Sequence, residues 1–445
     1  MERNLTEGKI GQSLVWFSIP MILGNLLQQL YNVADTLIVG KTIGATALSA
    51  VGSSYSLMVL LTSVILGLCM GSGVVFAQLY GAGKTDDLKT SMVNAFVFIL
   101  AVTVVINLLS FLLLEQFIVW LNIPKEAVTF TREYLRVILA GIPFVFLYNF
   151  LASVLRSVGN TVAPLLFLAV TALTNIVLDL VFILSFHMGV AGAAWATVTA
   201  QVLSALCIAV YFFLRAKRLC PARQHFRYSR GLLRFIITNS SLTAVQQSIM
   251  NFGILMVQGL VNSFGFAASA AFAAVVKIDA FAYMPAQDFG NAFSTYVAQN
   301  YGAGSGERIR RGLKTAMLIS GGFCICASVL VCIFAEPLML LFVRREELDI
   351  IRIGVEYLRI EGACYLGIGV LFLLYGLYRG LGRSLMSIVL TVVSLGSRVL
   401  LAYLLSAVPT IGMTGIWWSV PIGWLLADLL GLLYYILRRK QFLPS

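Results

Sequence analysis

Ala77-Gln78-Leu79-Tyr80-Gly81-Ala82-Gly83 returns 221 positions later as Ala298-Gln299-Asn300-Tyr301-Gly302-Ala303-Gly304, inside a chain that is mostly apolar. Three more matches lie at nearly the same offset. Glu133-Tyr134-Leu135-Arg136 pairs with Glu356-Tyr357-Leu358-Arg359, and Arg156-x-x-Gly159 with Arg379-x-x-Gly382. Gly189-x-x-Gly192-x-x-Trp195 pairs with Gly412-x-x-Gly415-x-x-Trp418. Four matches in one order, at offsets of 221 to 223, make the chain two copies of one half. Stretches almost free of charge, such as Leu48 to Tyr80 and Gly253 to Val276, exceed the roughly 20 residues that cross a bilayer as a helix. Duplicated membrane halves are the architecture of many secondary transporters, which bind their substrates where the halves meet.

Composition agrees. With 60% hydrophobic and 11% charged residues, an ordinary soluble domain is excluded. The first apolar run begins near Leu14 and contains Asn25, Gln28, Gln29, Asn32 and Asp35 without a small-residue cleavage site, so it reads as a retained span. The seven cysteines show no CxxC spacing and read as small buried hydrophobes. Two histidines, His187 and His225, are too few for a His-based catalytic or metal cluster, and HExxH is absent from the sequence. No enzyme activity and no resident cofactor are therefore expected.

The pattern predicts an all-α integral membrane protein with twelve spans, near residues 14–40, 47–80, 88–115, 126–158, 163–186, 190–215, 231–262, 265–302, 310–336, 350–380, 385–408 and 412–437. These form an N-terminal lobe (1–215), a cytoplasmic linker (216–230) and a C-terminal lobe (231–445). With the N-terminus inside, 21 of the 31 Lys and Arg fall in inside segments and eight outside, which places both termini in the cytoplasm. The net charge of +12 is thus topological, and nucleic acid is not an expected partner. Six spans per copy give both copies the same orientation, so their pseudo-symmetry axis runs along the membrane normal. The linker arginines read equally well as solvated or as meeting anionic lipid headgroups. Pro20, Pro143, Pro164, Pro285 and Pro421 fall within spans, where each removes a backbone donor and is expected to bend its helix. Gly83 and Gly304 are expected to stop spans two and eight in the left-handed conformation.

Ionisable residues within the spans are the chemical signal. An acid at mid-membrane costs roughly 2.5–3.5 kcal/mol on insertion scales, so each needs a partner, water or a role. On span one, Asn25, Gln28, Asn32 and Asp35 lie at i, i+3, i+7 and i+10, a polar stripe that cannot face lipid. Tyr31 sits one turn before Asp35. On span five, Asn175 and Asp179 are four apart and share a face. Neither span supplies a cation, so the two carboxylates can hold protons or, with neighbouring oxygens, a small hard cation such as Na+. In the second half, Lys277 and Asp279 point to different faces, Asp288 lies three turns beyond Lys277, and Arg398 and Asp428 are expected to pair. Within the spans six acids, counting Glu361, oppose two bases, an excess that suits a cavity receiving cations.

These residues resemble the multidrug and toxic compound extrusion (MATE) transporters over essentially the whole chain. The resemblance rests on Pro20 followed by Asn32-x-x-Asp35-x-x-x-x-Gly40, on Val297-Ala298-Gln299-Asn300-Tyr301-Gly302-Ala303-Gly304, on Asn175-x-x-x-Asp179 with Thr197 on span six, and on two six-helix lobes. It implies the MATE fold, two pseudo-symmetric six-helix bundles with a central cavity, and export of amphipathic, mostly cationic drugs or toxins in exchange for H+ or Na+. In the DinF-like branch, which looks nearest, the coupling site lies in the first lobe. The resemblance then assigns Asp35, Asn175, Asp179 and Thr197 to it, with Tyr31 close by and Pro20 as a hinge. Other branches use an acid on span seven, but Gly231 to Asn262 contains none. Gln28, Asn32, Gln246, Asn251, Asp279 and Asp288 are the expected cavity residues. A monomer in a bacterial cell membrane is expected, with small amphipathic substrates and the bilayer as partners. The alternative is a flippase for a lipid-linked saccharide, which the acidic interior disfavours.

Overall fold

The computed structural model describes residues 4–120 and 123–442, and among these the chain is helical with no strand. The first copy contains α1 (Ile10–Thr42), α2 (Ala45–Gly81), α3 (Thr85–Leu112), α4 (Leu114–Trp120), α5 (Val128–Ser157), α6 (Val162–Leu180) and α7 (Gly189–Arg215). The second contains α8 (Arg230–Asn262), α9 (Phe266–Gly302), α10 (Gly306–Ile333), α11 (Ala335–Leu340), α12 (Leu348–Gly362), α13 (Tyr365–Gly380), α14 (Ser384–Ser406) and α15 (Thr414–Phe442). Among the described residues eleven helices are long and apolar enough to cross a membrane, and α12 with α13, bent by 51° at their break, passes the same test as a pair. Many leucines, valines and phenylalanines of these helices are exposed, as lipid-facing surfaces require.

Span ten, expected as one helix over 350–380, is broken. The Cys364 amide bonds the Glu361 carbonyl at 2.9 Å, and that of Gly367 bonds Cys364 at 2.9 Å. These tight i→i+3 turns interrupt the regular ladder without a proline. Pro143, Pro285 and Pro421 do lie inside helices, as does Pro20. Pro164 instead occupies the first turn of α6, where a missing N–H leaves no bond unmade, so it bends nothing. The stops after α2 and α9 form as expected, with Gly83 at φ 70° and Gly304 at φ 71°. The Lys84 amide reaches back to the Leu79 carbonyl at 3.0 Å and that of Ser305 to Asn300 at 2.9 Å.

Packing divides the chain into two compact units, and the division does not follow span order. The first contains Ile19–Ala244; the second contains Leu5–Ser18 together with Val245 onward. The opening turns of α1 therefore pack with the second unit, and those of α8 with the first. Contacts rather than sequence position set these borders, so they depart from cuts at 215 and 230.

Each unit has a helix crossing built from small residues at matching positions. In the first, the Ser153 hydroxyl of α5 donates to the Cys69 carbonyl of α2 at 2.7 Å, and Gly73 accommodates the Ser153 side chain. In the second, Gly376 of α13 lies against the Gly290 carbonyl of α9, and Gly380 against the Ser294 carbonyl. Ser153 and Ser157 match Gly376 and Gly380; Cys69 and Gly73 match Gly290 and Ser294. Each copy brings two backbones together with small residues spaced four apart, the arrangement that serves helix association where lipid removes the hydrophobic drive.

Candidate functional site

The polar stripe of α1 and the Asn175–Asp179 face of α6 meet within the first unit. The Asp35 and Asp179 carboxyls come within hydrogen-bonding reach of each other. Asp179 has no exposed surface, yet neither of its carboxyl oxygens has a hydrogen-bond donor; Asp35 Oδ1 and Asn175 Oδ1 are likewise buried without one. No lysine or arginine forms an ion pair with either acid among the described residues. The expected meeting of two acids without a resident base is what the structure contains.

The neighbours explain how this arrangement is held. Asn175 Nδ2 donates to Thr197 Oγ1 of α7 at 3.2 Å, and Thr197 Oγ1 donates to the Ala193 carbonyl at 3.1 Å. Thr197 thus fixes the rotation of the Asn175 amide and leaves its carbonyl oxygen without a donor beside the acids' helix face. The Tyr31 hydroxyl is hydrogen-bonded to the Gln28 side chain and lies in the field of Asp35. Immediately after Asp179 the backbone widens: the Phe186 amide bonds Val181 across five residues at 3.1 Å, closing a π-helical turn over Val181–Ser185. Such turns insert an extra residue into a helix and often accompany functional sites.

Tyr134 is a site neighbour that the sequence reading missed. It is a buried residue of α5 beside both Asp35 and Asp179, packed in an apolar cluster with Val39, Val51, Ile138 and Ile183. Its signal was present, since it belongs to the repeated Glu-Tyr-Leu-Arg. The repeat alone does not say which of the four residues points inward.

The remaining candidates are dispersed. Gln28 and Asn32 belong to the first unit, and Asn32 Nδ2 donates to Gln29 Oε1 at 3.3 Å. Gln246, Asn251, Asp279 and Asp288 belong to the second. There Asp279 and Glu361, 8% and 6% exposed, come within hydrogen-bonding reach, and the Tyr365 hydroxyl donates to Asp279. Lys277 is exposed, on a different face from Asp279 as expected. The expected Arg398–Asp428 pair does not form: Asp428 Oδ1 and Arg398 Nε are buried without partners. Arg398 instead lies within electrostatic range of Asp279, Tyr283 and Tyr357, without an ion pair to any acid among the described residues. Among the described residues no cluster of three or more His, Cys, Asp or Glu is placed to hold a metal ion.

Comparison with known proteins follows the same duplication. The MatE family profile matches residues 20–181 and again 243–404, so the chain belongs to the MatE family. It is 30% identical over 440 residues to the probable multidrug resistance protein YpnP of Bacillus subtilis (strain 168), covering 97% of this chain and 96% of that one. It is 24% identical over 442 residues to the multidrug export protein MepA of Staphylococcus saprophyticus, covering 98% and 95%. Among solved structures, an outward-facing multidrug resistance MATE family transporter of the MOP superfamily superposes with a TM-score of 0.92 at 25% identity, covering 98% of each chain.

Proposed function

We propose that this protein is a secondary antiporter that exports amphipathic, mostly cationic small molecules across a bacterial cell membrane. Entry of H+ or Na+ at the Asp35–Asp179 pair drives it. The observation that carries the reading is two carboxyls within hydrogen-bonding reach, Asp179 fully buried and Asp35 half-buried, with no ion-paired base among the described residues. Two such groups repel when both are charged, and either a shared proton or a small cation between them removes the repulsion. Asn175 and Thr197 fix the polar frame, and Tyr31 and Tyr134 border it. The names of the relatives, multidrug resistance and export proteins, support drug efflux. Both termini lie in the cytoplasm on the charge bias of the loops, and a monomer suffices for this cycle.

In the outward state the pair takes up the ion, which neutralises buried charge and lets α1 repack while substrate leaves outside. Discharge to the cytoplasm restores the charged pair and the inward state. One elementary charge crossing 100 mV supplies roughly 2.3 kcal/mol. At about 1.4 kcal/mol per tenfold, that sustains a ratio of about fifty for an uncharged drug, whereas a monovalent cation exchanged one for one cancels the charge movement and draws only on the chemical gradient of the ion. The test is drug efflux in vesicles with a pH gradient or a sodium gradient imposed separately. Efflux should follow at least one gradient in the wild type and neither in Asp35→Asn; full gradient-driven efflux in that variant refutes the assignment.

A further inference from the structure

The repeated Gln-x-Tyr-Gly-Ala-Gly ends α2 and α9, and the capping glycines account for only its last residues. Its Gln299 and Asn300 hold the segment that precedes α1. The Leu5 amide donates to Gln299 Oε1 at 3.1 Å, and Asn300 Nδ2 donates to the Leu5 carbonyl at 3.1 Å. Asn300 Nδ2 also donates to the Tyr296 carbonyl at 2.8 Å, which fixes its rotation. Arg308, in the first turns of α10, completes the hold. Its guanidinium donates to the Glu7 carbonyl at 2.6 Å, the Gly8 carbonyl at 3.0 Å and the Leu5 carbonyl at 3.3 Å, and lies 5.9 Å from the Tyr296 ring centroid. Leu5 has no exposed surface. Further along, Gly11 meets Thr315 of α10.

The other copy holds the segment before α8 at the matching place with different side chains. There Asn94 Nδ2 donates to the Arg227 carbonyl at 3.1 Å, and His225 Nε2 lies 3.0 Å from Asp86 Oδ1, just after Gly83. Two unrelated sets of side chains performing one task indicate that the task, holding a helix start, is what both copies need.

α1 changes units between Ser18 and Ile19, beside Pro20, and carries Asp35 further along. Its start is therefore fixed to the second unit, while its acid lies in the first. We infer that Gln299, Asn300 and Arg308 form a releasable clamp on the start of α1 and are positioning residues for the ion-coupling helix. The clamp stabilises the state described here and opens during each transport cycle. It is built for release: apart from Leu5, it consists of side chains bonding backbone carbonyls and one amide, groups that water can satisfy once the segment lifts. This inference rests on the transport reading above.

The test uses the full-length protein in inside-out vesicles, with the seven native cysteines replaced by serine and Leu5→Cys introduced. A membrane-impermeant maleimide should label position 5 at least about tenfold faster during drug-driven turnover than at rest. Asn300→Ala with Arg308→Gln should raise the resting rate to the turnover rate, and Arg308→Lys should restore it only in part, since lysine cannot fork to several carbonyls. A second measurement leaves position 5 native: trypsin cleavage after Lys9 in the otherwise wild-type chain should accelerate in the same conditions. A strap that merely stabilises the fold would show equal rates at rest and in turnover by both measurements, and that result overturns the inference. If efflux followed neither ion gradient the transport reading would fail, whereas drug-dependent exposure of position 5 would still report the clamp.

Discussion

Asp179→Asn should make the protein more stable and less useful to the cell. In the wild type both oxygens of this fully buried carboxyl lack donors, and the acid beside it is also an acceptor. The substitution removes one of two adjacent charges and supplies an amide N–H2 of nearly the same shape, which can donate to Asp35. A hydrogen bond to a charged group contributes about 1.5–3 kcal/mol. For a unit the size of Ile19–Ala244, each kcal/mol moves Tm by roughly 2–4 °C, so the midpoint should rise by about 3–12 °C. The coupling ion itself should stabilise the wild type through mass action, by about 2.7 kcal/mol at one hundred times its Kd. The variant should lose this response. Thermal unfolding of purified protein, titrated with sodium and repeated across pH, reads both quantities, and vesicle efflux reads the loss of the ion-driven drug gradient. A variant that is less stable, or that keeps both its response to the ion and its efflux, refutes the reasoning.

Other consequences follow from particular contacts. Gly376→Leu forces a side chain against the Gly290 carbonyl and should destabilise the second unit by about 1–3 kcal/mol or more, read as a lower Tm with the first unit's ion response intact. Tyr134→Phe keeps the ring in its apolar cluster but removes the hydroxyl beside both acids; folding should be unchanged and the ion concentration for half-maximal efflux displaced several-fold. Asp288→Asn should change which dyes are exported while the dependence on the ion gradient stays as in the wild type, measured by comparing a panel of fluorescent cations in vesicles.

What the sequence made legible was whatever repeats or has a helical period. The internal matches predicted two copies, the charge-free runs predicted the spans, and the spacing of Asn25, Gln28, Asn32 and Asp35 predicted a polar stripe, of which Asp35 meets Asp179 while Gln28 is exposed. That Asp35 and Asp179 share one site was implied by the family resemblance; the residues alone showed only that neither helix offers a base. The break at Ala363–Cys364 was not legible, since no proline marks it. Pro164 misled in the opposite direction: a proline predicts a bend only if a bond existed to remove. Arg398 and Asp428 were matched by sign and span, which ignores that their helix faces can diverge. The partition of α1 at Ser18 was beyond reach as well, because it reflects packing against residues hundreds of positions away.

The duplication also shows where the two copies differ at the proposed coupling site. At the offset of the surrounding matches, Asn175 corresponds to Arg398 and Asp179 to Ala402, while Tyr134 corresponds to Tyr357. The second copy therefore keeps the tyrosine, loses the first acid pair, and builds another from Asp279 and Glu361 on different helices. Arg398 stands in the field of that pair as a fixed cation, and the Tyr365 hydroxyl already donates to Asp279. The Asp35–Asp179 pair has neither a tyrosine donor nor an arginine in its field. Removing the Arg398 charge should expose the difference. Arg398→Gln should destabilise the second unit, since it leaves buried acids without their compensating base. Asp279→Asn, itself mildly destabilising through the lost bond from Tyr365, should restore part of the stability when combined with Arg398→Gln. A double-mutant cycle on Tm measures this coupling directly. Simple additivity of the two substitutions would show that Arg398 does not compensate Asp279, and the physical ground for placing ion coupling in the first copy alone would be lost.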